Sequence, residues 1–485
     1  MHYKVVHFYL ITDELRRQVL WALRPRYSYE SLKKRAKNSK MILMDRQTFF
    51  FYDLETSGLS QRYDRIVQFA GQRTDMDLNP VGEPVNILVK ITEDALPCPS
   101  AVAVTKITPQ QTLMDGISEA EFCRYVTEEI FTPNTVALGY NTVRFDDEFM
   151  RATLWRNFYD PYEWEWKDGR SRWDMLDVVR LTRALRPEGI NWPVTEDGKA
   201  TNRLELLTKC NGLSHEHAHD ALSDVYATIA VARLIRDKQP RLFDFLFKVR
   251  GKNDVKKLVN LDDKKPFVYA SGRYSAEHNK TTVAFPLTSS RNGNVLVYDL
   301  RYNLEETEVG FPIVKELCLN KCPAVAPLSV LTEGDGWAKI GLDEKTVEKN
   351  LQILLAHPEF AEKMRSEYED RPEFAPAEEP ELAIYEGFLN DRDRVKVAAV
   401  RNADAAHLAD FHPDFDDARL PELLLHYKGR NFPESLSESE TEKWEAYRRA
   451  RLEKQAPKFL AELKSLYEKD EFLAEELKLY FESLM

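Results

Sequence analysis

The sequence predicts an α/β domain, then a small β-rich domain, then an all-helical domain. Buried-strand patterns alternate with helix patterns in the first part of the chain, which is typical of α/β architecture. Short β-rich pieces broken by Gly, Asn and Ser follow at residues 266–300. The last part is highly charged with helical spacing. We therefore expect domains at residues 47–239, 240–370 and 371–485, preceded by a basic extension at residues 1–46.

The composition is that of a folded, globular protein. The chain has 485 residues, of which 43% are hydrophobic and 31% charged, and a net charge of −12. A charge of this sign argues against whole-surface binding to nucleic acid and leaves room for a local basic groove. No apolar run reaches the ~18 residues that would span a bilayer, so we expect no membrane contact.

Cysteine usage indicates a reducing cytoplasm. The five cysteines form no repeated pair pattern, and an odd number argues against a disulfide framework. Cys318 and Cys322 are close enough in sequence for half of a zinc site. Since no second pair accompanies them, we expect buried thiols instead.

Residues 1–46 differ from the rest of the chain in charge, with 11 Lys and Arg against 4 Asp and Glu. One interpretation is a basic arm. The other is that translation starts at Met41 or Met44 and that the preceding residues are a reading-frame artefact. We favour the second interpretation.

The α/β domain begins with an aromatic strand, residues 48–56, that ends in acids. A buried strand has this pattern where its end opens into a site. Residues 135–141 predict a second buried strand, which leads into a helix-like segment from Asp146. A helical apolar stripe follows Asp220, and Pro240 ends it. Asp220 is the expected N-cap of this helix.

Carboxylates gather at the ends of these elements. Asp53 and Glu55 alternate along the first strand, so both can meet the same ions while Leu54 enters the core. Asp146 and Asp147 lie where the second strand passes into a helix. Their position also has a simpler explanation, because acids favour a helix N-terminus through its dipole. Spacing alone does not choose between Asp146 and Asp147 as the site residue.

A histidine and a further acid lie on either side of Asp220, at the start of the predicted helix. His219 and Asp224 converge best if His219 lies just before the helix and Asp224 lies in its first turns. Carboxylate oxygens suit Mg²⁺, and two such ions can hold the attacking and leaving oxygens of a phosphodiester. A neutral imidazole can take the proton from the attacking water. The set predicts hydrolytic phosphoryl transfer.

The ordered set Asp53-x-Glu55, Asp146 and His219-x4-Asp224 resembles the DEDDh exonuclease superfamily, which has a ribonuclease H-like fold. The segments GYNTVRFDDE, SRWDMLDVVR, ALRPEGINWP and AHDALSDVYATIA resemble the bacterial exodeoxyribonuclease I family more narrowly. This resemblance runs from about Phe49 to the C-terminus. It implies a ribonuclease H-like domain, an SH3-like domain and a helical C-terminal domain.

The resemblance also implies the role of each site residue. Asp53, Glu55 and Asp224 would bind two Mg²⁺ ions, with Mn²⁺ as a substitute, and Asp146 would complete the site directly or through water. Asp146 is chosen over Asp147 because the family's motif uses the first acid. His219 would be the general base, and Glu55 would also contact the substrate. Positions matching Arg151, Tyr162, Trp166, Arg180 and Arg203 lie along the DNA path of the family.

The implied activity is 3′-to-5′ hydrolysis of single-stranded DNA to 5′-mononucleotides, in DNA repair and recombination. An aromatic-rich, charge-balanced segment at residues 143–186 fits this substrate, because bases stack on rings while arginines follow the phosphates. The resemblance further implies binding of the acidic tail of single-stranded-DNA-binding protein, for which Arg186 is a candidate contact. We expect a monomer. Two alternatives stay open: an enzyme of the same superfamily that trims RNA ends, and a non-catalytic single-strand-binding module.

Overall fold

The computed structural model describes residues 29–33, 46–215, 220–306, 313–372 and 376–485. The predicted order of an α/β, a β-rich and a helical part is confirmed. Within the described ranges, no helix is both long and apolar enough to cross a membrane.

A mixed five-stranded sheet forms the centre of the first domain. The strand order is β3-β2-β1-β4-β5, in which β1 is antiparallel to β2 and parallel to β4. The aromatic residues of β1 are buried on both faces of this sheet, which explains the near-continuous apolar run. The strands are β1 Thr48–Thr56, β2 Ile66–Thr74, β3 Val85–Leu88, β4 Thr135–Gly139 and β5 Ser171–Asp174.

Helices surround this sheet, and two of them position the site. Helix α4 (Asp146–Arg156) follows β4, and helix α8 (Ala221–Lys238) packs across β1 and β2. Asp220 caps α8 by accepting a hydrogen bond from the Ser223 backbone, so the predicted N-cap is confirmed. The helices are α1 Pro99–Thr105, α2 Pro109–Asp115, α3 Glu119–Tyr125, α4 Asp146–Arg156, α5 Glu163–Trp166, α6 Met175–Leu185, α7 Leu204–Cys210, α8 Ala221–Lys238 and α9 Pro240–Lys248.

The second domain contains a five-stranded antiparallel sheet in the order β10-β6-β7-β8-β9. Apolar side chains of these strands alternate between two buried clusters. Its strands are β6 Phe267–Ala270, β7 Thr281–Ser289, β8 Val295–Asp299, β9 Val314–Leu317 and β10 Ala324–Pro327. Its helices are α10 Lys252–Leu258, α11 Gly336–Lys339, α12 Glu344–Ala356 and α13 Glu359–Glu369.

The C-terminal domain is helical throughout its named elements. A capping box at Ser437 begins its longest helix, which spans Glu438–Tyr467. This helix packs against the last helix of the chain, and leucines of both helices are buried in the contact. The helices are α14 Asp391–Asn402, α15 Ala405–Ala409, α16 Leu420–Asn431, α17 Glu438–Tyr467 and α18 Glu471–Leu484.

A buried network of charges joins the first and last domains. The guanidinium of Arg65 pairs with Asp94 at 3.0 Å, and Arg430 pairs with the same carboxylate at 2.7 Å. Glu381 and Arg451 complete the network, and all of these side chains are at most 3% exposed. Because removing one member would leave a buried charge unpaired, the network fixes how the two domains dock.

Helix α9 lies just after the predicted domain boundary and packs on the first domain. Its Phe243 and Phe247 rings lie 5.0 and 5.2 Å from the Trp173 ring of β5. The sheet of the first domain is therefore covered by a helix that the sequence analysis assigns to the second. The boundary at residues 239 and 240 stays a prediction.

Residues 29–33, part of the predicted extension, are helical and pack against the first domain. Tyr29 and Leu32 are 7% and 3% exposed, and the Tyr29 hydroxyl donates to Glu128 at 2.5 Å. The Arg124 guanidinium lies 4.3 Å from the Tyr29 ring. The remainder of residues 1–45 lies outside the described residues.

Candidate active site

Three carboxylates meet at the end of the central strand. Asp53 and Glu55 come from β1, and Asp224 comes from the first turn of α8. One oxygen from each lies within 4.8 Å of the others. Leu54, between the two strand carboxylates, is buried in the core as its alternation predicts. In the described part of the chain, this is the group of side chains placed to hold a metal ion.

Asp146 lies beside this group rather than inside it. It is the first residue of α4, is 4% exposed, and its Oδ1 accepts a hydrogen bond of 3.1 Å from the Leu54 backbone. Asp147 is committed elsewhere, because its carboxylate accepts from Tyr52 and pairs with Arg172. Both adjacent acids therefore contact β1, but Asp146 does so at the Leu54 backbone, between Asp53 and Glu55, whereas Asp147 does so at the Tyr52 side chain.

The carboxylates repel one another in the absence of a cation. Burial, and then the charges of Asp146 and Asp224, raise the pKa of Asp53 well above its usual range. Burial and the neighbouring Asp53 raise the pKa of Glu55 to about 9. The pKa of Asp146 is raised as well, chiefly by burial and then by Asp147. A divalent cation would relieve this repulsion, so the donor set fits a hard metal ion.

The histidine chosen from the sequence, His219, lies outside the described residues. The structure instead places His215 against Asp224, with Nε2 at 2.5 Å from Oδ1. The other ring nitrogen of His215 lies 3.2 Å from the Thr208 hydroxyl. The sequence has histidines at positions 215, 217 and 219, any of which could reach the start of α8, and only His219 matches the superfamily motif. The contact of His215 with Asp224 was therefore not predicted.

A cavity of about 420 Å³ opens in front of Asp53 and Asp224. Two of the predicted DNA contacts, Arg180 and Arg203, line it. Nη1 of Arg180 pairs with Asp177 at 2.5 Å. The second domain also contributes to the wall through Lys280, which sequence analysis did not identify. The cavity is therefore lined by both carboxylates and cations.

The other predicted DNA contacts, Arg151, Tyr162 and Trp166, do not line this cavity. The Arg151 guanidinium is 6% exposed and pairs with Glu165 at 2.6 Å and Glu148 at 3.0 Å. Tyr162 is partly buried, and its ring lies 5.4 Å from that guanidinium. Trp166 is 65% exposed. The structure thus does not place these residues in the cavity with Asp53.

Glu148 is a contact shared by all three domains. It lies in the first turn of α4, close in sequence to Asp146. Its Oε1 accepts from Lys321 of the second domain at 3.2 Å, and its Oε2 accepts from the Tyr385 hydroxyl of the C-terminal domain. The second and third domains therefore both reach the helix that carries Asp146.

The cysteines take no part in this site. All five are free thiols, and Cys322 is buried, with Sγ placed 3.3 Å from the Arg172 carbonyl. Trp155, Phe158 and Trp173, from the aromatic-rich segment, are 4%, 2% and 2% exposed, so these three rings belong to the core and are not open to a base.

The fold and the carboxylate site define a metal-dependent nuclease, and family comparisons agree. A family model described as "Exonuclease" matches residues 50–232. A model described as "Exonuclease I SH3-like domain" matches residues 250–309 and 303–370. A third, described as "Exonuclease I C-terminal domain", matches residues 378–484.

Individual relatives narrow the class. The chain is 41% identical to exodeoxyribonuclease I of Haemophilus influenzae, over 89% of this chain and 96% of the relative. It is 40% identical to exodeoxyribonuclease I of Escherichia coli, over 83% and 89% of the two chains. The chain belongs to the exodeoxyribonuclease I family, and its predicted membership is confirmed.

Solved structures are similar over the same range. A structure of E. coli exonuclease I in complex with a dA16 oligonucleotide has a TM-score of 0.85 and 37% identity, covering 91% of this chain and 100% of that one. Further similar structures, each with a TM-score of at least 0.84, are a complex of single-stranded-DNA-binding protein (SSB) and exonuclease I with an inhibitor, and a zinc-bound complex of E. coli exonuclease I with single-stranded DNA.

Proposed function

We propose that the protein hydrolyses single-stranded DNA from its 3′ end and releases 5′-mononucleotides. The observation that carries this proposal is the cluster of Asp53, Glu55 and Asp224, two of which line one cavity, in a chain of the exodeoxyribonuclease I family. The similar E. coli structure contains a single-stranded oligonucleotide. As in the family, the activity would serve DNA repair and recombination.

Asp53, Glu55 and Asp224 would hold two Mg²⁺ ions, for which Mn²⁺ can substitute, and Asp146 would complete the site directly or through water. The bound metal would stabilise the charge that develops on the attacking and leaving oxygens of the phosphodiester. The buried carboxylates contribute a preorganised cluster whose mutual repulsion favours cation binding.

His219 is the proposed general base, which takes the proton from the attacking water. His215 has a different proposed role, since its Nε2 contacts Asp224 and its other nitrogen contacts Thr208. Through these contacts it orients the Asp224 carboxylate. Replacing His219 by Ala should lower kcat by about 10² to 10⁴, whereas His215→Ala should chiefly weaken metal binding. Equal loss of kcat at saturating metal in both variants would contradict this division.

Arg180 and Arg203, which line the cavity, would bind backbone phosphates near the reacting bond. Glu55 would also contact the terminal nucleotide. Trp166 is exposed and can stack on a base, and the partly buried Tyr162 would also contact the strand. Arg151 would act through Tyr162, whose ring its guanidinium faces. Stacking and phosphate contacts together select unpaired strands without reading their sequence.

The acidic tail of SSB is the proposed protein partner, and Arg186 is the proposed contact. This arginine is 23% exposed and lies between the first two domains, where it contacts the Val330 carbonyl at 3.2 Å and Glu333 at 3.2 Å. Loss of tail binding in Arg186→Ala would support the assignment, and unchanged binding would contradict it.

We also propose a cytoplasmic monomer, built from domains at residues 47–239, 240–370 and 371–485. The free cysteines support the location. The family-model ranges and the contacts of α9 bear on the first boundary, because α9 lies between residues 232 and 250 and packs on Trp173.

The test is digestion of a 5′-labelled single-stranded oligodeoxynucleotide beside its duplex and its RNA equivalent, with Mg²⁺ or with EDTA. A metal-dependent ladder that shortens from the 3′ end of single-stranded DNA alone is expected. Asp53→Ala should abolish cleavage and leave DNA binding largely intact. Asp168→Ala, which changes a 54% exposed carboxylate outside the site, is the matched control. Cleavage of RNA alone would favour an RNA-trimming enzyme, and cleavage by Asp53→Ala would refute the site.

A further inference from the structure

One lysine of the second domain lines the cavity that contains Asp53 and Asp224. We propose that this residue, Lys280, binds a backbone phosphate of the DNA strand and so positions the strand over the carboxylates. The SH3-like domain would then supply part of the catalytic cavity itself. This inference rests on the proposed hydrolysis of single-stranded DNA.

The backbone at Lys280 has a fixed position. Its N–H donates to the Ser275 carbonyl at 2.9 Å, and its carbonyl accepts from the Ser271 N–H at 2.9 Å. Strand β7 begins at the next residue. Lys280 also has a φ of 57°, in the left-handed region, which costs a lysine about 1 kcal/mol and requires support from its surroundings. The loop between β6 and β7 therefore presents this side chain from a defined point.

The same loop packs directly on Arg180. A Cβ built on Gly272 would lie 2.9 Å from Nη2 of Arg180, so the backbone of the loop approaches the guanidinium closely. Arg180 is itself held by Asp177 from one turn away on α6. The position of Lys280 relative to the first domain is thus set by a contact at the cavity wall.

The cavity is lined by both carboxylates and cations. The carboxylates are Asp53, Glu205 and Asp224, and the cations are Arg180, Arg203 and Lys280. Burial, and then the charge of Arg180, lower the pKa of Lys280, and no carboxylate contributes to that shift. Among the described residues, the ion pairs within 4.0 Å do not include Lys280, even though Glu205 also lines the cavity.

A phosphodiester with bound metal ions is the ligand that fits this mixed lining. Its anionic oxygens would meet the cations, while the reacting phosphorus would face the carboxylates and their metal ions. A flexible ammonium acts as a point charge toward phosphate and reads no base. Lys280 should therefore contribute equally to binding of all sequences, and its contribution should weaken as salt is raised.

The test compares Lys280→Gln and Lys280→Arg with a matched control, Lys264→Gln. Lys264 is an exposed lysine of the same domain that also has a positive φ, of 45°, and lies outside the cavity. Steady-state kinetics on single-stranded oligonucleotides of two unrelated sequences would be measured from about 50 to about 200 mM salt. Thermal unfolding of each variant would verify that it is folded.

Lys280→Gln should raise KM about tenfold for both sequences, with kcat changed less than about twofold. The slope of log KM against log salt should fall by about 0.7, the value for one phosphate contact to a single strand. Lys280→Arg should restore the slope, and Lys264→Gln should match the wild type. If the wild type degrades single-stranded DNA but Lys280→Gln keeps its KM and its slope, the inference on Lys280 is wrong. A loss confined to kcat would overturn it equally. If the wild type does not degrade DNA, the proposed function itself fails.

Discussion

The carboxylate cluster should reduce the stability of the protein when no metal is bound, and Glu55→Gln should reveal by how much. Burial and the neighbouring charge of Asp53 raise the pKa of Glu55 from 4.5 to about 9. At a pH between these two pKa values, Glu55 keeps its proton in the folded protein and has released it in the unfolded chain. Since the folded state then binds more protons, its free energy of unfolding falls as the pH rises.

The expected magnitude follows from this shift. One pKa unit corresponds to about 1.4 kcal/mol. The contribution of Glu55 is therefore an unfavourable term of about 1 kcal/mol at pH 5 and at most about 5 kcal/mol at pH 8. Gln cannot ionise, and it removes this term. The stability gained by Glu55→Gln should increase by up to about 4 kcal/mol between these two pH values.

Urea denaturation in EDTA, followed by tryptophan fluorescence, would measure the difference, because Trp164 and Trp173 are buried in the first domain. The control is Glu163→Gln, which removes a 45% exposed carboxylate paired with Lys167 and should change stability by less than about 1 kcal/mol at either pH. A gain for Glu55→Gln that is the same at both pH values would show that Glu55 ionises normally and would refute the account of the cluster.

Three further results are expected. Arg430→Met should lower the free energy of unfolding by about 3 to 5 kcal/mol in urea denaturation, because it removes a cation that pairs with two buried carboxylates, Asp94 and Glu381. Arg392→Met, which changes a 70% exposed arginine, should cost less than about 1 kcal/mol. His426→Phe should reduce the loss of stability on acidification. Burial, and then the charge of Arg430, lower the pKa of His426 to about 3, so protonation of the unfolded chain destabilises the wild type by about 2 kcal/mol at pH 5. An unchanged dependence of stability on pH in this variant would contradict the expectation. Mg²⁺ at about 100 times its Kd should raise the unfolding free energy of the wild type by about 2.7 kcal/mol, and Asp224→Asn should lose most of that gain in thermal-shift titrations.

Local pattern accounts for the parts of the site that lie within one element. Alternation along β1 correctly places Leu54 in the core and Asp53 and Glu55 at the strand end. The helix that follows Asp220 has the predicted cap and brings Asp224 to the strand carboxylates. These features depend on backbone periodicity, which the sequence contains. Motif resemblance was needed to choose Asp146, since its neighbour Asp147 has the same spacing and helix position.

Contacts between distant segments were not predictable in the same way. His215 contacts Asp224 although it lies outside α8, and no periodicity of the sequence relates these two side chains. The apolar residues of α9 indicate an amphipathic helix, but they do not identify Trp173 of the first domain as its partner. Tyr385 contacts Glu148 across more than two hundred residues of chain. Such pairs depend on how whole domains dock.

This difference separates the cavity into two functional parts. The carboxylates proposed to bind metal belong to the first domain and follow from its strand and helix ends. The cations that would hold the strand come partly from docking of the second domain, which brings Lys280 beside Arg180. Substitutions that loosen this docking should therefore weaken strand binding while leaving the carboxylate cluster and its metal affinity in place. Chemistry and the part of substrate positioning that Lys280 would supply are then separable by mutation, because different domains supply them.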